Sequence, residues 1–213
     1  MKKVLLFIII TLVLLESYQL FTEETTITSS LAQILFSNNL HEVRKNELFR
    51  SAEMKPAEMA TVVKEKGIKT VLDVRANPND LSPEYTGEEK AVSDVGATYA
   101  TFPMVGSREL SQKAVLDLLN LIDNAEPPLL VHCTSGTHRS GAVAAIWLME
   151  RDGVSFDEAM KQLSAKYGYF YLERKLKGAM QGHPTIDNLL WRYGEAREKE
   201  NISFRQWVER GMK

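Results

Sequence analysis

The sequence predicts an α/β domain, with a mostly parallel central sheet flanked by helices. Three observations carry that expectation. Short runs rich in branched apolar side chains, Ile68 to Arg75 and Leu129 to Val131, read as strands buried on both faces. Amphipathic stretches of helical spacing separate such runs, so strands and helices alternate along the chain. One strand passes to a helix through a loop of small residues, in the stretch Leu-Leu-Val-His-Cys-Thr-Ser-Gly-Thr-His-Arg-Ser-Gly from Leu129 to Gly141.

At 213 residues the chain has room for one sizeable core, and a formal net charge of -2 makes no electrostatic case for nucleic acid. A single cysteine excludes an intrachain disulfide framework and leaves that thiol without a resolving partner. Met1-Lys2-Lys3 and the apolar run Val4 to Leu15 fit a signal peptide, being shorter than the roughly 20 residues that span a bilayer. Glu16 to Leu20 offers no small-x-small cleavage site, so an uncleaved membrane anchor is the alternative and a buried helix a third reading. Residues 1–20 are thus expected to export or anchor the chain, in a periplasmic or other extracytoplasmic setting, and residues 21–40 to tether the domain that fills 41–213.

Within that domain, His41 to Arg44 leads into Glu47 to Ser51 as a first strand. Pro56 starts a helix that runs to Lys66, and Gly67 ends it. The strand Ile68 to Arg75 follows, and its carboxyl end carries Asp73 and Arg75 beside the expected ligand site. These two either support the site or form a structural ion pair. Asn77 to Gly87 is a turn-rich loop, Glu88 to Val95 a short helix and Thr98 to Phe102 a strand that Pro103 breaks. Ser111 caps a helix to Asn124 whose apolar face is Ala114, Val115, Leu118, Leu119 and Ile122.

The loop after Leu129–Val131 then takes shape as an anion cradle. The N–H groups of Thr134, Ser135, Gly136, Thr137 and His138 can converge on one point, and the following helix adds the partial positive charge of its N-terminus. Cys133 sits at the bottom, where these groups and the Arg139 guanidinium favour its thiolate. The planar fork of Arg139 can hold two oxygens of one tetrahedral anion. Ser140 can donate to the sulfur, and His132 supports the thiolate from the strand end.

His-Cys, five residues, then Arg-Ser resembles the signature of the protein tyrosine phosphatase superfamily. Leu-Phe-Arg-Ser, the Pro-started helix and Gly-Ile-Lys-Thr-Val-Leu-Asp-Val-Arg extend the likeness over His41 to about Tyr171, to the atypical dual-specificity group of bacteria, fungi and plants. The resemblance implies a protein tyrosine phosphatase-like fold over residues 41–213 and hydrolysis of phosphate monoesters through a phosphocysteine, with no metal and no cofactor. Its substrates would be phosphotyrosine or phosphoserine proteins, or inositol phosphates. It also implies an acid in the loop Met104 to Gln112, where the only carboxylate is Glu109, with Asp94 second. Without an acid, good leaving groups such as phosphoanhydrides and aryl phosphates would be favoured. The branch that acts on inositol pyrophosphates commonly has lysine where Thr137 stands.

Beyond the cradle, Ala142 to Glu150 is apolar enough for a central helix, and Ser155 and Ser203 open capped helices. Tyr167 to Tyr171 packs on the core or walls a substrate site. Arg174, Lys175 and Lys177 form a small basic run, and His183 is a loop residue before a helix from Thr185 to Arg192. Two other functions compete. A rhodanese-type sulfurtransferase also carries Val-Leu-Asp-Val-Arg and a loop cysteine, and a phosphate-binding module would lack turnover.

Overall fold

The computed structural model describes residues 38–75, 87–105, 108–169 and 185–213. The apolar run at Val4–Leu15, the loop 77–86, Phe170 and Tyr171, the basic run and His183 lie outside the described residues.

The elements are β1 (His41–Arg44), β2 (Leu48–Ser51), α1 (Pro56–Lys66), β3 (Thr70–Asp73), α2 (Glu88–Asp94) and β4 (Thr98–Thr101). They continue with α3 (Gln112–Asn124), β5 (Leu129–His132), α4 (Arg139–Arg151), α5 (Phe156–Met160), a 3₁₀ turn (Ala165–Tyr167), α6 (Ile186–Glu200) and α7 (Phe204–Glu209). The sheet order is β1-β2-β5-β3-β4, and only β1 runs antiparallel to its neighbour. An α/β architecture on a mostly parallel sheet is therefore what the chain adopts.

One boundary differs from the expectation. His41 to Ser51 makes two strands of a hairpin, because Asn46 takes a left-handed conformation (φ 56°) and Glu47 N–H closes the turn on the Arg44 carbonyl at 3.1 Å. Asparagine tolerates that conformation better than most residues. Helix α6 also runs past Arg192 to Glu200, through charged residues whose spacing carries no apolar signal.

The pleat sorts the core into two layers. Leu48, Leu72, Leu129 and Val131 face α3, α4, α6 and α7, while Phe49, Val71 and Leu130 face α1 and α2 with Met59, Val63 and Val92. Helix α4 lies in the middle of the larger layer, every residue from Ser140 to Leu148 being buried. Ser111, Ser155 and Ser203 each cap their helix by accepting a backbone N–H, and Gln206 completes a reciprocal capping box with Ser203. Among the described residues no helix is long and apolar enough to cross a membrane.

Candidate active site

Strand β5 ends at His132, and the alternation of the strand turns His132 and Cys133 to opposite faces. Cys133 points to the α4 side and is 1% exposed. Burial alone would push its thiol up. The Arg139 guanidinium, the Ser140 hydroxyl at 3.4 Å and the backbone N–H groups of Ser140 and Gly136 outweigh burial, so the thiol lies below its ordinary value. Arg139, first residue of α4, donates from Nη2 to Thr134 Oγ1 (3.0 Å) and from Nη1 to the Met104 carbonyl (3.2 Å). The loop thus arches from Cys133 to α4 with the guanidinium held across it.

A backbone account explains the arch. Every carbonyl from Thr134 to His138 is taken by a donor: Glu53 N–H for Thr134, Asn39 Nδ2 for Ser135, Arg50 Nη2 for Gly136 and Thr137, and Ala142 N–H for His138. None of the amides of Ser135, Gly136 and Thr137 donates to a backbone carbonyl of the described residues. Carbonyls tied outward leave the amide edge of the loop to an anion. Ser135 Oγ and Thr137 Oγ1 lie 2.8 Å apart at the exposed rim.

His132, Asp73 and Arg75 meet on the opposite face of the sheet. Asp73 accepts from Arg75 Nε (2.9 Å to Oδ1, 3.0 Å to Oδ2) and Nη2 (2.7 Å to Oδ2), and from the Tyr99 hydroxyl at 2.9 Å. Arg75 also bonds Glu88, and His132 Nε2 stands 3.0 Å from Glu88 Oε1. Although burial would raise the Asp73 carboxyl, its bonds from Arg75 and the nearby His132 and Arg75 charges hold it below the usual carboxylate range. Asp73, Glu88 and His132 place ligand atoms within 4.8 Å of one another, the one such group among the described residues. Asp73 is already saturated by a guanidinium, so a cation there would have to displace Arg75.

His138 is tied from the other side. Its Nε2 lies 2.9 Å from Asp187 Oδ1 of α6, and Asp187 also accepts from Tyr169 (2.6 Å) and Thr185. Although burial would raise it, bonds from His138, Thr185 and Tyr169 hold the Asp187 carboxyl well below its usual range. Tyr167 and Tyr169 are both buried, so this part of the aromatic group packs on the core. Glu109 Oε1 accepts from Arg192 Nη1 of α6 at 2.6 Å. Asp94 pairs on the surface with Lys90.

The dual specificity phosphatase catalytic-domain family matches residues 52–181, more than half of the chain. The chain belongs to this family. It thereby falls within the protein tyrosine phosphatase superfamily. The TpbA structure from P. aeruginosa is 21% identical, with TM-score 0.52, over 70% of this chain and 86% of that one. A cysteine-to-serine variant of TpbA in complex with pTyr is 21% identical, with TM-score 0.50, over 62% of this chain and 76% of that one. Both are similar in fold. No curated protein matches the chain.

Four participants escaped the sequence reading. Arg50 had a faint signal, a charged residue inside a strand too short and central to reach solvent. Asn39 lies in the stretch expected to be a tether, Glu88 reads from sequence as an ordinary helix start, and Asp187 lies 49 residues from the histidine it holds.

Proposed function

We propose that this phosphatase is cysteine-dependent and hydrolyses phosphate monoesters of small molecules or phosphoproteins through a phosphocysteine. The observation that carries the reading is the lowered Cys133 thiol beneath a loop whose carbonyls are all tied outward. Cys133 attacks phosphorus and Arg139 binds two equatorial oxygens. The loop amides take the charge, a preorganised electrostatic stabilisation. Ser140, in contact with the sulfur, stabilises it as the leaving group when water cleaves the phosphocysteine.

In this reading Glu109, whose carboxylate Arg192 holds, anchors its loop to α6, and among the described residues no carboxylic acid serves the leaving oxygen. Aryl phosphates and phosphoanhydrides are then the favoured substrates, because a poor leaving group forgoes the typical 10²–10⁴-fold, roughly, of general acid help. The basic start and the apolar run Val4–Leu15 of the sequence support an exported or membrane-anchored setting for the enzyme.

The test is hydrolysis of p-nitrophenyl phosphate with EDTA present. Turnover that survives EDTA and disappears in Cys133→Ser is expected, whereas turnover retained by Cys133→Ser excludes the phosphocysteine. Glu109→Gln is expected to lower alkyl phosphate turnover by less than about threefold, and a loss of about 10²-fold or more would make Glu109 the general acid.

A further inference from the structure

Arg50 carries a guanidinium into the interior beneath the cradle. It lies on β2, between β1 and β5, and is 0% exposed. Nη1 donates to the Gln162 carbonyl (2.6 Å) and to Gln162 Oε1 (3.1 Å). Nη2 donates to the carbonyls of Gly136 (2.7 Å) and Thr137 (3.1 Å), and the Tyr167 ring covers Cζ at 4.2 Å. All of these acceptors are neutral. A guanidinium taken fully from water without a carboxylate is expensive to hold. Burial accordingly pushes Arg50 down to about 10, against the opposing pull of Tyr167 and Cys133.

The fold nevertheless shapes itself around this side chain. A Cβ on Gly141 would stand 2.8 Å from Arg50 Nη2, so the first turn of α4 is free of side-chain bulk where the guanidinium passes. From there the fork reaches two successive loop carbonyls at once, which a single-point cation cannot do.

We propose that Arg50 is the positioning residue of the phosphate-binding loop. It draws the Gly136 and Thr137 carbonyls underneath, so that the amide edge faces the thiol. The charge that balances it is the Cys133 thiolate or the oxyanion bound above. This rests on reading the loop as an oxyanion cradle. Arg139 and Ser140 of α4 face Cys133, and Arg50 of β2 lies within electrostatic reach of it. His132 turns away to Glu88 of α2 and to Asp73 and Arg75 at the end of β3.

The test is alkylation of the full chain by iodoacetamide across pH, with and without inorganic phosphate. Cys133 is the only cysteine, so the rate reports one thiol, and no turnover is needed. Failure of the phosphatase reading would therefore leave this result interpretable. Arg50→Met is expected to raise the alkylation midpoint by about one pH unit and to weaken phosphate protection by about tenfold. Arg50→Lys is expected to keep the midpoint near that of the parent while losing phosphate protection, because its ammonium keeps the charge and loses the fork.

Parent-like midpoint and protection in a folded Arg50→Met overturn the proposal. So do equal shifts in the Lys and Met variants that track only their melting temperatures. If Arg50→Met does not fold, the parent protein decides through the Arg50 guanidinium signals in ¹H–¹⁵N spectra. Movement of those signals on phosphate addition is expected, and signals that stay in place at saturation overturn the assignment.

Discussion

Gly136 has φ 68°, and a Cβ there would stand 2.5 Å from the Ala52 amide nitrogen and 2.7 Å from the Ser51 carbonyl carbon. Both obstacles are backbone, which cannot swing aside. Gly136→Ala should therefore cost about 2–4 kcal/mol, the sum of a left-handed conformation and overpacking, as read from the urea midpoint. His41 gives a pH prediction at the same scale. Burial, Arg50 and Lys166 push it down to about 4, and its neutral ring shares a 2.8 Å bond with Asn39, which in turn holds the Ser135 carbonyl. Between pH 4 and the ordinary value of 6.5 the unfolded chain binds more protons than the folded one. Stability is thus expected to fall as pH drops through that window. His41→Gln should flatten the slope, and urea midpoints at a series of pH values measure it. Asp187, held below its ordinary 3.8, adds a further loss once pH falls past that value.

Helices and strands were legible to the degree that local chemistry decides them. Ser111 and Ser203 announce their helices because a cap is a bond within four residues, and both side chains make it. Ser111→Ala should cost about 1 kcal/mol, visible as a lowered melting temperature without change in alkylation of Cys133. The β1–β2 hairpin was harder to read. Its turn, Lys45 to Glu47, is polar but lacks glycine, so only the left-handed Asn46 separates two strands from one. Helix α6 matters to the site through Asp187, which no periodicity marks. Asp187→Asn should lower stability by ~1.5–3 kcal/mol through the loss of a charge-assisted bond to His138. It should also weaken phosphate protection of Cys133, and unchanged protection would confine Asp187 to a structural part.

Over the whole molecule, the C-terminal helices belong to the same core as the cradle. Leu189, Leu190, Tyr193, Phe204, Trp207 and Val208 join the layer around α4, although the family match ends at residue 181. A chain ended at residue 184 would uncover that layer and remove the partner of His138. It is expected to lose near-ultraviolet dichroism and cooperative melting, and retained cooperative unfolding would show that α6 and α7 are dispensable. Tyr193 packs edge-on against both Phe156 and Phe204, so the aromatic cluster ties α5 and α7 to one helix.

By itself, the sequence determined the α/β class, the parallel strands and the placing of Cys133 and Arg139 on one strand-to-helix loop. Those rest on features close in sequence: apolar runs, caps, and a thiol and a guanidinium on one short loop. Only the tertiary structure decided what holds that loop in shape. Arg50 reaches Gly136 and Thr137 across 86 and 87 residues, Asn39 reaches Ser135 across 96, and Asp187 reaches His138 across 49. Hydrogen-bonding partners so distant are brought together by strand order and helix packing. A buried carbonyl must find some donor, but nothing local says which one the fold will deliver.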